Sequence, residues 1–206
     1  MFNFHEKVLK KSKDEELSAT EPAVAKALFD MGQANTQDKN LAQMYILSAH
    51  EVDYKQEDAT RKYTLVTIPF RSLQFYKKVS GEVVSELEKK LGMPVVVVAK
   101  RTIISKRAPI NSKESRPRTR TLTHVHTALL DDIVFPTRIV GKRIRVATNG
   151  ARTFKVLLDP MDKDLLQDKL PAWSHVYQKL TTKKTVFDFG EPTAEMKRAK
   201  KKAPRH

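Results

Sequence analysis

The sequence predicts an α/β (α+β) protein: a single domain with a twisted mixed sheet, packed helices, a β-hairpin and a long basic loop. Segments rich in β-branched residues alternate with segments whose apolar residues recur every three or four positions, which is typical of strands interleaved with helices. We expect the domain to span residues 19–189, between a basic mobile arm at 1–18 and a basic C-terminal tail at 190–206.

The first half of the domain predicts a helix and a β-hairpin. Glu21-Pro22 suits the first turn of a helix, because proline needs no amide partner there, and Gly32 suits its end. Strands are expected at 44–54 and 63–70, where β-branched and aromatic residues alternate on either side of a short polar turn.

A strand–helix–strand unit is expected next. Ser72 can cap a helix that Gly92 ends, and the apolar residues between them lie on one face. Residues 95–99 are apolar on both faces, which predicts a buried central strand. Since this strand follows 63–70 across a helix, we expect the two strands to be parallel.

The second half predicts another helix, a hairpin and a final strand. Thr119 or Thr121 can cap the helix, and Pro136 ends it. Asn149-Gly150 between two alternating runs is a strong hairpin signal, with positive φ expected at both turn residues. Two shorter helical segments and a strand at 186–189 complete the domain.

The first strand of this hairpin carries cations. Arg143 and Arg145 fall on one side of the strand, whereas Ile144 and Val146 fall on the other, because successive side chains in a strand alternate. We therefore expect one face to be cationic and the opposite face to join the core.

The charge of the chain is concentrated in three segments. The 206 residues include 39 Lys and Arg against 24 Asp and Glu, a formal net charge of +15. Net charges of +3, +7 and +5 fall in residues 1–13, 100–120 and 194–206 and account for all of it. Basic segments on a neutral body favour a polyanionic partner over a chain that positive charge merely keeps soluble.

Several function classes lack support in the sequence. The chain has no cysteine, so it has no disulfide, thiol nucleophile or cysteine zinc site. Its six glycines are too far apart for a phosphate-binding glycine loop, and no apolar run approaches the roughly 18–20 residues of a membrane span. These absences remove the commonest nucleotide-binding enzymes and nothing points to catalysis, and we expect no membrane association and no small-molecule substrate.

His124 and His126 have a metal-type spacing, with Asp131 and Asp132 further along the chain. On a helix, positions two apart point to nearly opposite sides, so the two imidazoles cannot share a metal ion there. We expect no metal site, and we interpret both aspartates as surface acids at the end of the helix. The alternative is a metal-dependent nuclease that uses these four residues.

The basic loop over 100–120 is the strongest functional feature. Its run 116–120, Arg-Pro-Arg-Thr-Arg, would place three guanidinium groups on one side if it were extended, at about the spacing of successive phosphates. The loop has no aromatic residue, so we expect recognition of the backbone and shape of folded RNA rather than base stacking. The alternatives are a solvated charge run or a nuclear import signal, and residues 197–202 fit import and RNA contact equally.

Several motifs resemble one family in the same order along the chain. They are Glu86-Leu87-Glu88-Lys89-Lys90, Arg116-Pro117-Arg118-Thr119-Arg120-Thr121-Leu122-Thr123, Val125-His126, Asp132-Ile133-Val134-Phe135-Pro136, Ile139-Val140-Gly141-Lys142-Arg143-Ile144-Arg145-Val146 and Val176-Tyr177-Gln178-Lys179-Leu180-Thr181. With these motifs, about residues 20–189 closely resemble the eukaryote-specific small-subunit ribosomal protein seven family.

The resemblance implies a structural protein of the 40S subunit that binds 18S rRNA and contacts neighbouring 40S proteins. It also implies a part in small-subunit assembly and pre-rRNA processing within pre-ribosomal (small-subunit processome) particles. The implied location is the cytoplasmic ribosome, with a nucleolar phase, and neither catalysis nor a cofactor is implied. The competing hypothesis is a non-ribosomal nucleolar RNA-binding assembly factor.

By similarity, the rRNA-facing elements would be the loop from Lys106 to Arg120 and the hairpin strand at 142–145. The C-terminal tail is also expected to bind RNA, because of its positive charge alone. The full set of expected RNA-binding residues is Arg101, Lys106, Arg107, Lys113, Arg116, Arg118, Arg120, Lys142, Arg143, Arg145, Lys197, Arg198, Lys200, Lys201 and Lys202.

Overall fold

The computed structural model describes residues 7–9, 18–34, 39–56, 59–106 and 116–190. The helices are α1 (Glu21–Ala34), α2 (Lys39–Ala42), α3 (Leu73–Leu91), α4 (Leu122–Val134), α5 (Lys163–Leu166) and α6 (Leu170–Thr181). The strands are β1 (Ser48–Gln56), β2 (Ala59–Ile68), β3 (Val95–Ala99), β4 (Ile139–Val146), β5 (Arg152–Leu158) and β6 (Thr185–Phe189). The predicted α/β class is confirmed.

The strands form two mixed sheets of three strands each, rather than the single sheet that the sequence predicts. The chain divides into two compact units, Met1–Pro136 and Thr137–His206, and each contains one of the sheets. Within the described ranges, every helix is too short or too polar to cross a bilayer.

The sheet of the first unit has the order β1-β2-β3. β1 and β2 pair antiparallel, which confirms the first hairpin, and β2 and β3 pair parallel across α3, which confirms the strand–helix–strand unit. β3 lies at one end of the order rather than in the centre. Its five residues are nevertheless all buried, and both α3 and α4 contact it.

α3 begins and ends for different reasons. Gly92 ends it with a φ of 68°, the left-handed conformation that glycine adopts without a steric penalty, and its amide donates to the Glu88 carbonyl at 2.9 Å. Ser72 does not cap the helix as expected. It closes a 3₁₀ turn at Phe70–Ser72, and its hydroxyl donates to the Gln43 carbonyl at 3.4 Å instead.

The core of the first unit lies where α1 and α3 pack against the sheet. Its most deeply buried apolar side chains are Val24, Ala25, Ala27, Met44, Ile46, Ala49, Ile68, Val83, Leu87 and Ala99. Burial of each larger side chain of this kind contributes roughly 1.5–3 kcal/mol. α1 continues to Ala34, two residues past Gly32, the end that the sequence predicts.

Part of the arm expected to be mobile is attached to this unit. Val8 forms a parallel bridge with Ile46, and the Leu9 amide donates to the Ile46 carbonyl at 2.8 Å. The Lys7 ammonium donates to the carbonyls of Leu41 and Ala42, at 3.1 and 2.8 Å, and its partial burial lowers the pKa of Lys7. Residues 1–6, 10–17 and 191–206 of the two terminal segments lie outside the described residues.

The sheet of the second unit has the order β4-β5-β6. β4 and β5 pair antiparallel, which confirms the second hairpin, and β5 and β6 pair parallel. Only Gly150 of the Asn-Gly turn has positive φ, at 79°, so positive φ at Asn149 was a wrong expectation. The Gly150 amide donates to the Ala147 carbonyl, which makes a three-residue connection with glycine in the left-handed position.

Candidate nucleic-acid interface

The described parts of the basic loop meet beside the end of β3. The Lys100 amide donates to the Ile68 carbonyl at 2.9 Å, which holds the start of the loop against the end of β2. The Ile104 amide donates to the Arg120 carbonyl at 3.0 Å. This hydrogen bond joins the first part of the loop, residues 100–106, to its last part, residues 116–120. Residues 107–115, including Arg107 and Lys113, lie outside the described residues.

The last part of the loop, residues 116–120, forms a turn rather than an extended strand with a row of arginines. Pro117 is extended, with φ −61° and ψ 135°, but Arg118–Arg120 form a 3₁₀ turn. The Thr121 hydroxyl stabilises this turn by donating to the Arg118 carbonyl at 2.8 Å. The side chains of Arg118 and Arg120 are exposed and Arg116 is half-buried, so the evenly spaced row expected for an extended strand is absent from these residues.

Arg101 is paired inside the first unit. Its guanidinium donates to both carboxylate oxygens of Asp132, with 3.0 Å between Nη2 and Oδ1, and its Nη1 reaches the Ala99 carbonyl at 3.4 Å. The side chains of Arg101 and Asp132 are only 11% and 2% exposed. We therefore remove Arg101 from the expected RNA-binding set, because its charge is neutralised and mostly shielded from solvent.

The same contact corrects the interpretation of Asp132 as a surface acid. The carboxylate also accepts from the Ala99 amide at 3.3 Å, so it connects α4 to the end of β3. A carboxylate near the C-terminal end of a helix is electrostatically unfavourable on its own. Here the guanidinium of Arg101 compensates for that cost. Asp131, the neighbouring residue, is exposed as expected.

Phe70 is a candidate residue that the composition of the loop did not reveal. It follows β2 and is 62% exposed, and the Cζ atom of Arg101 lies 5.6 Å from the centroid of its ring. Because β2 and β3 are parallel, residues that follow the two strands meet at the same edge of the sheet. An aromatic surface therefore lies beside the basic loop, although the loop itself has none.

The histidine pair lies on α4, as the helical pattern predicted. His124 is exposed and His126 is buried, as expected for positions two apart on a helix that packs against the body of the unit. In the part of the chain that the structure describes, no group of three or more His, Asp and Glu side chains is placed to hold a metal ion. The nuclease alternative therefore has no observation in its favour among these residues.

The cationic face of the hairpin is formed by Arg143 and Arg145, which are both exposed. Arg143 pairs across the strands with Lys155, so the two side chains share a face. Lys155 forms an ion pair with Asp188, and the hydrogen bond from its ammonium lowers the pKa of the Asp188 carboxyl. Lys142 pairs with Val156 and therefore lies on the opposite face.

The opposite face of β4 does not join the core along its whole length, which corrects a second expectation. Leu158 and Val156 are fully buried near the base of the hairpin. Towards the turn, Ile144 and Val146 are 59% and 64% exposed. Apolar side chains therefore stand in solvent near the turn of the hairpin.

Two groups of the expected RNA-binding residues remain, one in the basic loop and one in the C-terminal tail. Lys106 is exposed, and residues 107–115 after it lie outside the described residues. The basic residues of the tail, Lys197, Arg198, Lys200, Lys201 and Lys202, lie outside the described residues.

A neutral α/β body with cationic segments is typical of proteins that associate with polyanions. Comparison with known proteins shows the family to which this chain belongs. A family model described as Ribosomal protein S7e matches residues 8–189. The chain is 42% identical over 192 residues to a small ribosomal subunit protein, eS7z, of Arabidopsis thaliana, covering 92% of this chain and 97% of the relative. The corresponding protein eS7 of Dictyostelium discoideum is 40% identical over 180 residues, covering 85% and 91%.

A third relative, eS7 of Schizosaccharomyces pombe, is 39% identical over 195 residues, covering 92% of this chain and 96% of its own. The chain belongs to the ribosomal protein S7e family, and the resemblance found in its motifs is confirmed. The family match ends at residue 189, so the basic tail lies beyond it.

Proposed function

We propose that this chain is a structural constituent of the cytoplasmic 40S ribosomal subunit and binds 18S rRNA through its basic loop and hairpin. Family membership supports the ribosomal role, because the relatives are named as small ribosomal subunit proteins. We further propose that the protein contacts neighbouring 40S proteins, and that it supports subunit assembly and pre-rRNA processing in pre-ribosomal particles during a nucleolar phase. Neither catalysis nor a cofactor is part of the proposal.

The observation that carries the rRNA proposal is a set of exposed arginines at two places on the molecule. Arg118 and Arg120 project from the loop turn, and Arg143 and Arg145 from the hairpin. Among the described residues, no carboxylate forms an ion pair with any of the four. Guanidinium groups of this kind can each donate two hydrogen bonds to one phosphate.

The proposed RNA-binding set follows from this placement. It keeps the exposed or half-buried cations Lys106, Arg116, Arg118, Arg120, Arg143 and Arg145. Arg107, Lys113, Lys197, Arg198, Lys200, Lys201 and Lys202 stay in the proposal on charge alone. Lys142 is kept as a flanking cation on the other face of the hairpin, and Arg101 is removed.

The salt dependence of RNA binding tests the loop. Each phosphate contact contributes roughly 0.7–0.9 to the slope of log affinity against log salt. The double variant Arg118→Ala, Arg120→Ala should therefore flatten the slope for a fragment of 18S rRNA by about 1.5. The control is Lys89→Ala, Lys90→Ala, which removes two cations from the end of α3, where Glu86 and Asp30 pair with them.

The control variant should flatten the slope much less, because its lysines do not contact phosphate. An arginine variant whose slope changes no more than that of the control would show that the loop turn does not contact the RNA backbone, and the rRNA assignment of the loop would fail. Unfolding free energies should differ little among the three proteins, since exposed charges contribute little to stability.

The alternative function is a non-ribosomal nucleolar RNA-binding assembly factor, which the same exposed arginines would serve. Sedimentation separates the two proposals. A structural constituent should co-sediment with 40S subunits and polysomes at moderate salt. An assembly factor should occur in pre-ribosomal fractions and be absent from polysomes.

A further inference from the structure

β4 is one of the two outer strands of the second sheet, and one of its edges is unpaired among the described residues. In the order β4-β5-β6, β4 pairs with β5 on one side, and no other described strand lies on its other side. The strand is eight residues long, Ile139–Val146. An open strand of this length presents backbone donors and acceptors that favour pairing with another extended chain.

The pairing pattern shows which backbone groups face that edge. The Phe154 amide donates to the Lys184 carbonyl at 2.9 Å, so it points away from β4 and towards the β6 side. Phe154 and its partner Ile144 therefore form a non-hydrogen-bonded pair, and the N–H and C=O of Ile144 point away from β5. By the two-residue period of a strand, the backbone groups of Lys142 and Val146 also point outwards.

Two of these three residues have exposed apolar side chains, and the third is Lys142. Ile144 and Val146 share one face of the strand and are 59% and 64% exposed. Val140, at the irregularity between Ile139 and Gly141, is 52% exposed. Apolar side chains along an open edge are typical of surfaces that bind a peptide as an added strand, with hydrogen bonds along the backbone and side chains in alternate positions.

The charges on β4 decide which occupant fits. A second copy that paired antiparallel over the same stretch, centred on Ile144, would place its arginines at 143 and 145 against those of the first copy, and directly opposed like charges are destabilising. The basic tail of this chain, with net charge +5 over 194–206, meets the same repulsion. A ribose-phosphate backbone matches the arginines but offers no strand of amides and no apolar side chains for Ile144 and Val146.

We propose that the open edge of β4 binds an extended, acidic segment of a different protein, added to the sheet as a fourth strand. The segment has apolar side chains beside Ile144 and Val146 and a carboxylate beside Lys142. Arg143 and Arg145 lie on the opposite face. On that face the added strand has short side chains, which leave both guanidinium groups within reach of phosphate, so that one hairpin contacts protein and RNA.

A photo-crosslinker on the strand tests this inference, which rests on the proposed presence of the chain in small subunits. The chain carries p-benzoylphenylalanine at position 144 in one variant and at position 143 in a control variant. Small subunits are purified, irradiated, and treated with ribonuclease or protease. We expect position 144 to give a ribonuclease-resistant adduct with another subunit protein. Position 143, on the opposite face, should give a ribonuclease-sensitive adduct.

Mass spectrometry of the adduct decides the outcome. Mapping to an acidic extended segment of another protein supports the proposal. An adduct with RNA, with a second copy, with residues 194–206 of the same chain, or no adduct at position 144 would overturn it while leaving the ribosomal role intact. Absence of the chain from small subunits would instead overturn the proposed function, and this inference with it.

Hydrogen exchange gives a second readout that needs no substitution. The amides of Lys142, Ile144 and Val146 should exchange at least about tenfold more slowly in the subunit than in the free chain, since they gain hydrogen bonds there. The amides of Arg143 and Arg145 already face β5 and serve as internal controls. Equal exchange of the outward amides in both states would overturn strand addition.

Discussion

Asp132 shows how one side chain can decide the stability of the first unit. Its carboxylate is 2% exposed and compensates the mostly buried guanidinium of Arg101. Removal of one partner from such a pair leaves an uncompensated charge, so Asp132→Ala should lower the free energy of unfolding by about 3–5 kcal/mol in urea titrations. The neighbouring exposed residue gives a matched control: Asp131→Ala should cost less than about 1 kcal/mol. Equal losses in the two variants would show that the ion pair contributes no more than surface charge.

Sequence reasoning succeeds at residues whose environment is local. Gly92 ends α3 because glycine itself adopts the left-handed conformation without a steric penalty, and its amide finds its acceptor only four residues earlier, at Glu88. Sequence reasoning fails at Asp132, because the charge that compensates this aspartate lies 31 positions earlier in the chain, and only the fold brings the two together. The exposed ring of Phe70 is missed for the same reason, since the parallel pairing of β2 and β3 places it beside the basic loop.

The hairpin of β4 and β5 shows what the two-residue alternation of side chains can predict about a strand. Alternation correctly separates Arg143 and Arg145 from Ile144 and Val146, because the two-residue period of a strand is geometric. The alternation does not predict how far along the hairpin the apolar face is covered by the rest of the second unit. Burial therefore ends between Val156 and the turn, at a point that depends on packing and not on the strand sequence.

Stability measurements on the free protein can check this gradient along the hairpin. Ile144→Ser should cost less than about 1 kcal/mol, because the side chain already lies mostly in solvent. Leu158→Ala, at the fully buried base of the hairpin, should cost about 2–5 kcal/mol, because it leaves a cavity. Both values come from urea unfolding. A cost at Ile144 as large as that at Leu158 would mean that the end of the hairpin is packed in the free protein.

The strand–helix–strand unit also predicts a response to alkaline pH. Burial raises the pKa of Tyr63 on β2 to about 12, and burial with the charges of Asp132 and Glu88 raises the pKa of Tyr76 on α3 further. Above pH 10, these phenols ionise in the unfolded chain but stay protonated in the folded one. The free energy of unfolding should therefore fall as pH rises from about 10 to 12, by about 1 kcal/mol per tyrosine at pH 11.

The variants Tyr63→Phe and Tyr76→Phe isolate this effect from the titration of lysines over the same range. Each variant should lose less stability between pH 8 and pH 11 than the wild-type chain does in urea titrations. The difference between the two pH values is the relevant quantity, because each substitution also changes packing at both. A pH dependence identical to wild type in both variants would contradict the shifted phenols.

At the scale of the whole molecule, net charge and local contact have separable consequences for RNA binding. Steering depends on the summed field of the chain, so any two cations removed from the net +15 should slow association similarly at low salt. At about 10 mM salt the screening length is roughly 30 Å, so the RNA senses most of the molecule. Dissociation instead depends on the cations that touch phosphate.

The two double variants therefore predict different kinetics with the same RNA fragment. Arg118→Ala, Arg120→Ala and Lys89→Ala, Lys90→Ala should lower the association rate constant by similar factors at about 10 mM salt, because each lowers the net charge by the same amount. Only the arginine pair should raise the dissociation rate constant, by about tenfold, equivalent to about 1.4 kcal/mol. Stopped-flow association and chase experiments measure both constants. If the lysine pair raised dissociation equally, the positive charge of this chain would act as a uniform field rather than through its loop.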